Sequence, residues 1–412
     1  MKTKKTSIRA SVIAMMLFLI SVTVNSTHSS ELKNLERQIM NLVTNGSIVL
    51  HDESGNPLIS YNSDQPLVPA SIIKILTSGA AFDLLGEDFR FKTDFYRDDR
   101  NNLAIKGWGD PFLISEEIEI IAHELKNRGI NSIHSVHLDN SSFSPDIIIP
   151  GVAQTLNPYN AINGALITNF NTLNLTRSAN GQISSAEEVT PLTPLALAKA
   201  QSIEPGNTQR INLSSDMNDC LRYAGELFIA IFERAGIEVE NQTVSFSSID
   251  PSWDLFYTHL NSNDLTTISR GLQKYSNNFI ANQLFLTIGA EKMGYPATLE
   301  KGRQVFEDYI RNSLQISPEE LMMHEGSGIS RSNTITANVM IGILEERKDI
   351  ADLLPSHRNA LAKSGTLTGV YNYAGYIPSP NGNRPFVIIL NQNANNRDAI
   401  LDLLVQYSNS IN

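Results

Sequence analysis

The chain has 412 residues and a formal net charge of −11 at pH 7, with 41% hydrophobic and 18% charged residues. It is long enough for two or more domains with sizeable cores, and its composition is that of a globular protein. Because acidic residues outnumber basic ones and no dense Lys/Arg run follows the N-terminus, we expect no nucleic-acid partner. Cys220 is the only cysteine, which excludes an intrachain disulfide and a cysteine metal cluster.

The N-terminus has the parts of a secretory signal. Ala10 to Val24 is apolar but short for a membrane-spanning helix, and Val24-Asn25-Ser26 suits cleavage. We predict a signal peptide over residues 1–26, with a retained anchor as the alternative. The periplasm of a bacterial envelope is the predicted location. No stable membrane anchor is expected after cleavage, since no later segment is long and apolar enough. The basic residues before the apolar segment are Lys2, Lys4, Lys5 and Arg9.

Helix and strand patterns begin after the signal. Glu31 to Val43 is predicted to be a helix, and SIVLHDESGNPLISYN a β-hairpin that turns at Glu53 to Asn56. VPASIIKILTSGAAF predicts a loop followed by a helix that ends near Leu85. NLAIKGWGDPFL, SEEIEIIAHELKNRG and SIHSVHLDN then predict a separate strand–helix–strand unit that begins near Phe91.

The second half of the chain predicts helices and then strands. After polar connections from Asn157 to Asn180, a helix is expected from Ser215 to Gly236, with more helices to about Asn312. RNALAKSGTL, VYNYAGYI and RPFVIILNQN are predicted strands, PSPNGN a turn, and DAILDLLVQYSNSI a closing amphipathic helix. We therefore predict an α+β fold whose antiparallel sheet takes strands from both chain ends. The predicted domains are residues 27–91 plus 240–412, with an insertion at 92–239.

A serine and a lysine three residues apart form the first candidate motif, Ser71-Ile-Ile-Lys74. On a helix the two side chains share one face, so the amine can take a proton from the hydroxyl. Ser71 would lie at the helix N-terminus, where N–H groups and the helix dipole favour developing negative charge. The spacing alone is not specific, because Ser30 and Lys33 have it too.

Two further motifs follow in order. Ser276 and Asn278 lie in a predicted polar turn between helices, which can direct a hydroxyl and an amide into a cleft, although Ser-x-Asn recurs elsewhere. Lys363-Ser364-Gly365 occurs once, on a predicted strand, where glycine permits close approach by a ligand. A protective lysine on an edge strand is the alternative. Ser-x-x-Lys, Ser-Asp-Asn and Lys-Thr-Gly are shared by penicillin-binding proteins and class A β-lactamases.

Through most of its length the chain resembles the D-alanyl-D-alanine carboxypeptidase/endopeptidases of the low-molecular-mass class C penicillin-binding proteins. Ser71 and Ser276 are 205 positions apart, which leaves room for an inserted domain, the hallmark of this family. The resemblance implies a β-lactamase/transpeptidase-like antiparallel sheet flanked by helices, with an inserted α/β-type domain. The segments that carry it are PASIIK, IKGWGDPFL, NPYNAINGALITNFNTLNL, YAGELF, YSNNFIANQL, HEGSGISRSNTIT and AKSGTLTGVYNYAGYI.

Peptide hydrolysis through a serine ester is the chemistry that the resemblance implies. Ser71 would attack the carbonyl of the penultimate D-Ala, with Lys74 as general base and Ser276 relaying a proton to the leaving amine. Burial and Lys363 would keep the Lys74 amine neutral by lowering its pKa. Backbone N–H groups of Ser71 and Thr366 would form the oxyanion hole. No metal or cofactor is implied.

Substrate binding is likewise implied by the resemblance. Asn278 would bond the substrate amide. Lys363, with the hydroxyls of Ser364 and Thr366, would hold the terminal carboxylate, and Gly365 belongs to the same strand motif. The expected partners are peptidoglycan stem peptides and β-lactams, which would act as inhibitors. A serine β-lactamase or esterase, or a catalytically silent peptidoglycan-binding protein of the same fold, are the alternatives.

Three positions depart from the usual family pattern. Ser364 replaces threonine and retains the hydroxyl, Asn277 stands where aspartate is common, and Glu325 replaces aspartate before Gly-Ser-Gly. By resemblance, the Gly326-Ser-Gly328 segment lies near the site. The alternative is a helix-entry turn capped by Ser330 or Ser332.

A metal site has only weak support in the sequence. His134 and His137 lie on a predicted strand, where residues three apart point to opposite faces. His123-Glu124 lacks the second histidine of a zinc protease motif. We therefore predict no metal.

Overall fold

The computed structural model describes residues 30–411. The predicted signal peptide, residues 1–26, lies outside this range. The described chain opens with a helix followed by a hairpin and a second helix, as predicted. These elements are α1 (30–41), β1 (Gly46–His51), β2 (Pro57–Tyr61) and α2 (Lys74–Leu85).

A long segment between α2 and the next part of the chain forms its own sheets. Its predicted strand–helix–strand unit is present, with the two strands parallel. The elements are β3 (Lys92–Arg97), β4 (Leu103–Gly107), α3 (Ser115–Asn127), β5 (Ser132–Asp139), β6 (Thr172–Arg177), β7 (Ile183–Ser185), α4 (Pro194–Lys199), β8 (Asn207–Asn212), α5 (Met217–Arg234), β9 (Glu238–Phe246) and β10 (Asp254–Leu260).

The remaining elements alternate between helices and the strands of the main sheet. The predicted C-terminal strands and closing helix are present. They are α6 (Leu265–Tyr275), α7 (Asn278–Met293), α8 (Leu299–Asp308), β11 (Leu321–Met322), β12 (Thr334–Ile335), α9 (Ala337–Glu346), β13 (Ser356–His357), β14 (Ala360–Leu367), β15 (Val370–Ser379), β16 (Gly382–Leu390) and α10 (Arg397–Ser410).

The main sheet has six antiparallel strands in the order β13-β14-β15-β16-β1-β2. Its central strands are apolar on both faces because helices cover both. On β1, Ile48 and Leu50 pack with α1 and α10, whereas Val49 faces the core that contains α2 and α7. This confirms the predicted α+β fold with a helix-flanked antiparallel sheet built from both chain ends.

A second, mixed sheet holds the long segment together in the order β10-β3-β4-β5-β9, beside a three-stranded sheet β7-β6-β8. In the mixed sheet β4, β5 and β9 run parallel, while β10 and β3 are antiparallel neighbours. Residue 239, where we ended the predicted insertion, lies inside β9. The division into domains stays a prediction.

Two local expectations need correction. We expected only helices between Gly236 and Asn312, but β9 and β10 occupy Glu238–Leu260. These strands are largely exposed and polar at many positions, so they lack the apolar run that marks a buried strand. The C-terminal hairpin also turns more tightly than predicted, because β15 and β16 pair as far as Ser379 and Gly382.

Within residues 30–411, we found no helix with the length and apolar character needed to cross a membrane.

Candidate active site

Ser71 lies in a short 3-10 turn, Ala70–Ile73, that leads directly into α2. Ala70 before it is buried and has a positive φ of 46°, which L residues rarely adopt. Two glycines permit this turn to sit tightly in the fold. A Cβ on Gly328 would lie 1.9 Å from the Ala70 oxygen, and one on Gly365 would lie 2.7 Å from the Pro69 oxygen. The serine is therefore held between two segments that must lack side chains.

Lys74 is the first residue of α2, and its side chain is completely buried. Its Nζ lies 2.7 Å from Ser71 Oγ, 2.7 Å from Asn278 Oδ1 and 2.8 Å from the Ser327 carbonyl oxygen. A neutral amine has two N–H donors and one lone pair. It can donate to the amide and carbonyl oxygens and accept the Ser71 hydroxyl proton, which is the geometry of a base paired with its nucleophile.

The electrostatics of the pocket favour that neutral amine. Burial lowers the pKa of Lys74 well below its usual value, and the positive charge of Lys363 lowers it further. The Glu325 carboxylate opposes both effects, but less strongly. Burial and Lys363 are the two causes that we predicted from the sequence.

Glu325 is fully buried in the turn that precedes the Gly-Ser-Gly segment. Its carboxylate accepts hydrogen bonds from the backbone N–H groups of Ser327 and Gly328, at 2.7 Å each, and from the Asn333 amide at 2.8 Å. These bonds hold the turn so that the Ser327 carbonyl faces Lys74. The longer glutamate thus fills the place of the usual aspartate with its acceptors satisfied.

The helix-entry alternative for this segment is wrong. The next helix, α9, begins at Ala337, and its N-cap is Thr336, whose side chain accepts from the Val339 N–H. Ser330 and Ser332 therefore lie too early in the chain to cap it. The Gly326-Ser327-Gly328 segment instead contacts α2, because the Gly326 carbonyl accepts from Thr77 Oγ1 at 2.6 Å.

The second motif occupies the break between α6 and α7, as predicted. Ser276 ends α6 in the left-handed conformation with φ 52°. Asn277 caps α7 by accepting from the Ile280 N–H at 3.1 Å. Asn278 is the first residue of α7, and its Nδ2 donates to the Tyr159 carbonyl oxygen at 3.2 Å. The sharp turn brings both predicted polar side chains to the pocket of Lys74.

The third motif lies on β14, beside the turn Ala70–Ile73, called the nucleophile turn after the predicted role of Ser71. Lys363 is 1% exposed, and its Nζ donates to Ser276 Oγ and to the Ser364 carbonyl oxygen, both at 2.8 Å. Burial, and then the positive charge of Arg397, lower the pKa of Lys363 to about 7. Lys363 therefore points into the site, toward the predicted relay serine, rather than protecting an exposed strand edge.

A cleft of about 220 Å³ opens above these side chains. The structure thus brings together all eight site residues predicted from the sequence. Five of them line the cleft, and Lys74 contacts Ser71. Lys363 contacts Ser276, and Gly365 packs against the nucleophile turn. The cleft is lined by Ser71, Tyr159, Ser276, Asn278, Gly328, Ile329, Ser364, Thr366 and Leu367.

Arg397 is a residue of the site that the sequence analysis missed. It is the first residue of α10, and its Nη1 donates to Thr366 Oγ1 at 2.6 Å and to the Gly365 carbonyl oxygen at 3.1 Å. The guanidinium lies 4.6 Å from the centre of the Tyr373 ring. No motif surrounds Arg397 in the sequence, so only the packing of α10 on the main sheet reveals it. Tyr159, from the long segment, was missed for the same reason.

The histidines considered as metal ligands have other partners. His134 Nδ1 lies 2.9 Å from Glu240 Oε2, and His137 Nδ1 lies 2.5 Å from Ser245 Oγ. Across the described range, residues 30–411, no group of three or more histidine, cysteine and acidic side chains is placed to hold a metal ion. Cys220 is buried in α5, and burial raises the pKa of its thiol to about 12.

Comparison with known proteins defines the class of this molecule. A peptidase family, D-Ala-D-Ala carboxypeptidase 3 (S13), matches residues 31–221 and 203–356, which is most of the chain. The chain belongs to this family. It is therefore a serine-type D-Ala-D-Ala carboxypeptidase, and the predicted family and enzyme class are confirmed.

Individual relatives span nearly the whole chain. A D-alanyl-D-alanine carboxypeptidase of Actinomadura sp. (strain R39) is 24% identical, over 91% of this chain and 83% of that protein. The D-alanyl-D-alanine carboxypeptidase DacB of Haemophilus influenzae is 23% identical, over 94% of each. The crystal structure of penicillin binding protein 4 from Haemophilus influenzae superposes with a TM-score of 0.73, at 20% identity, over 91% of this chain and 99% of that one. This likeness confirms the predicted fold class.

The close contact of Gly328 with the nucleophile turn leads to a testable prediction. In Gly328→Ala, the new methyl group would clash with the Ala70 oxygen at a residue whose φ is 81°. We expect the free energy of unfolding to fall by about 1–3 kcal/mol, measured by urea denaturation. Gly342→Ala is the matched control, since nothing lies within 4 Å of its would-be Cβ on α9. Equal stability of the two variants would contradict the clash.

Proposed function

We propose that the protein hydrolyses the D-Ala-D-Ala end of peptidoglycan stem peptides, or their cross-links, through an acyl ester on Ser71. The observation that carries this proposal is the contact between the buried Lys74 Nζ and Ser71 Oγ at 2.7 Å. The family assignment and the lowered pKa of Lys74 support it.

Acylation begins when Lys74 removes the Ser71 hydroxyl proton. Ser71 Oγ attacks the carbonyl carbon of the penultimate D-Ala, and the carbonyl oxygen becomes an oxyanion. The backbone N–H groups of Ser71 and Thr366 stabilise that oxyanion, each worth about 3–4 kcal/mol in comparable enzymes. The close contact of Gly365 with the nucleophile turn supports this pairing, because it brings β14 against Ser71.

Collapse of the tetrahedral intermediate requires a proton on the leaving amine. Ser276 donates it and is reprotonated through Lys363, whose Nζ lies 2.8 Å from Ser276 Oγ. With its pKa lowered to about 7, Lys363 can exchange a proton near neutral pH. Asn278 meanwhile holds the substrate amide and bonds to Lys74. Before deacylation Lys74 loses to solvent the proton that it took from Ser71, and Lys363 regains one from solvent. Water then hydrolyses the acyl-enzyme, with Lys74 again as the base.

The terminal carboxylate of the substrate binds at the outer end of β14. The hydroxyls of Ser364 and Thr366 line this end of the cleft, while Lys363 is turned inward and engaged with Ser276. Arg397 supplies the permanent positive charge. Because its Nη1 donates to Thr366 Oγ1, the threonine hydroxyl proton is free to be donated to the carboxylate.

β-Lactams react by the same first step. The ring carbonyl acylates Ser71, but the ring fragment stays attached and obstructs the deacylating water, so the ester persists. A serine β-lactamase or esterase would instead turn such compounds over rapidly. The protein acts in the periplasm after removal of residues 1–26, without a stable membrane anchor. Its catalytic domain takes residues from both chain ends around an insertion that begins at residue 92, and β9 and β10 pair into the mixed sheet of that insertion.

Labelled penicillin tests the nucleophile. We expect the label on Ser71 in a peptide map, and no label in Ser71→Ala or Lys74→Ala, since one variant lacks the nucleophile and the other its base. Ser60→Ala, an exposed serine on β2, is the control and should label normally. A label on any other residue, or normal labelling of Lys74→Ala, would refute the assignment.

With isolated muropeptides, release of free D-Ala would indicate carboxypeptidase activity, and loss of cross-linked dimers would indicate endopeptidase activity.

The pH dependence of acylation tests the charge of Lys74. Acylation requires the neutral amine, so the rate should rise with pH through the Lys74 pKa, well below the usual lysine value. In Lys363→Gln the neighbouring positive charge is lost, protonated Lys74 becomes more favourable, and the rising limb should move to higher pH. The pH profile of penicillin acylation measures this. If the rising limb of the pH profile lies at the same pH in Lys363→Gln as in the wild type, then Lys363 does not set the pKa of Lys74.

Substrates with and without a C-terminal carboxylate test whether Arg397 helps to bind that carboxylate. Arg397→Ala should slow hydrolysis of a peptide ending in D-Ala-D-Ala by about 10- to 100-fold, the usual weight of a hydrogen bond to a charged group. The same peptide with a C-terminal amide should be slowed little. Arg128→Ala, a surface arginine paired with Glu124, is the control. Equal slowing of both substrates would mean that Arg397 only supports β14.

A further inference from the structure

A second cavity, of about 580 Å³, lies behind the Ser276 turn and is not used by the proposed chemistry. It is enclosed between the long inserted segment and the junction of α6 with α7. Aromatic side chains are four of the ten that line it. These four are Phe112, Tyr159, Phe170 and Tyr275. A cavity of this size, mostly apolar with a few polar groups, is typical of a small-ligand site.

The backbone around Phe170 is held in an unusual conformation. Asn169, Phe170 and Asn171 have consecutive positive φ values of 48°, 59° and 54°. The buried Asn169 fixes the segment by accepting from the Ser115 N–H at 2.9 Å. Such conformations are strained for residues that carry a side chain, and they tend to occur where function needs a particular geometry. Here they place Phe170 edge-on to Phe112, with ring centres 5.4 Å apart, in the cavity wall.

Among the described residues that line the cavity, the one charged side chain is already paired, and Lys274 lies outside the lining, with its Nζ 5.2 Å from the centre of the Tyr275 ring. Arg210 is the charged residue of the lining, and it forms an ion pair with Glu187. Its Nη1 also donates to Thr172 Oγ1 at 2.9 Å. An acidic stem peptide would therefore find its carboxylates uncompensated here. A neutral ligand with hydroxyl and amide groups matches the cavity better.

The cavity adjoins the catalytic cleft. Tyr159 and Asn278 line both spaces, and the Asn278 amide bonds to the Tyr159 carbonyl. A ligand that enters the cleft can therefore continue past Tyr159 into the cavity. In peptidoglycan, the stem residues upstream of the scissile bond lead to the glycan strand, over a reach on the order of 10 Å.

We propose that this cavity binds an acetamido sugar of the glycan strand that carries the stem peptide. Exposed aromatic rings stack against the apolar faces of pyranose rings, and Asn277 and Arg210 offer hydrogen bonds to hydroxyl and acetamido groups. Tyr275 is 68% exposed, so its ring is available for such a contact. The inference rests on the proposed peptidase function, because it places the sugar relative to the peptide in the cleft.

Matched substrates with and without sugar test this binding. The probes are a pentapeptide ending in D-Ala-D-Ala and the same peptide on N-acetylglucosaminyl-N-acetylmuramic acid. The wild-type protein should hydrolyse the sugar-bearing peptide with about tenfold higher kcat/KM. Tyr275→Ala and Phe170→Leu should remove this advantage and leave hydrolysis of the bare peptide unchanged. Phe246→Ala, a partly exposed aromatic on β9 away from both cavities, should retain it.

A binding measurement makes the result independent of catalysis. In the Ser71→Ala background, calorimetry should give a dissociation constant about tenfold lower for the sugar-bearing peptide, and Tyr275→Ala should abolish the difference. Equal affinity of the two peptides, or equal weakening of both by Tyr275→Ala, would overturn the sugar site. If the wild type hydrolyses neither peptide, the proposed peptidase function fails, whereas hydrolysis of both at equal rates refutes the sugar site alone.

Discussion

The burial of the Lys74 amine is the constraint on which the rest of the site depends. An ammonium ion out of water costs several kcal/mol unless it is paired, so a buried lysine is either matched by acceptors or neutral. Lys74 has one oxygen partner in its own turn, at Ser71, and two in distant segments, at Asn278 and Ser327. Those segments can meet only if α2, the start of α7 and the Glu325 turn pack in one arrangement. The tight glycine contact at residue 328 follows from that requirement.

The sequence predicted the site better than it predicted the fold around it. Short motifs keep their spacing on a helix or a strand, so Ser71 with Lys74, and Lys363 with its neighbours, could be placed from local rules alone. Local rules do not show that the three motifs form one site. Their order along the chain and the family resemblance predicted that. The buried first part of α2, Lys74 to Ala81, and the apolar strands of the main sheet were equally clear, because burial favours runs with few charged residues.

What the sequence could not predict depends on tertiary packing. Arg397 reaches β14 only because α10 crosses the face of the main sheet, and no sequence pattern records that crossing. β9 and β10 lie at the edges of the mixed sheet, where exposed polar residues obscure the alternation of apolar and polar residues that indicates a strand. Glu325 stood out as a departure from the family pattern. Its longer side chain is accommodated because several N–H groups converge on its carboxylate.

The order of strands in the main sheet bears on how the chain folds. β1 lies between β2 and β16, so Gly46 pairs with Leu390 across almost the entire sequence. Contacts of such long range form late and slowly, because the entropy cost of closing the loop between them comes before the contacts stabilise the chain. The nucleophile turn rests against β14, which joins this sheet only through β15 and β16. The surroundings of Ser71 are therefore complete only after the last strands have emerged, and a partly synthesised chain lacks them.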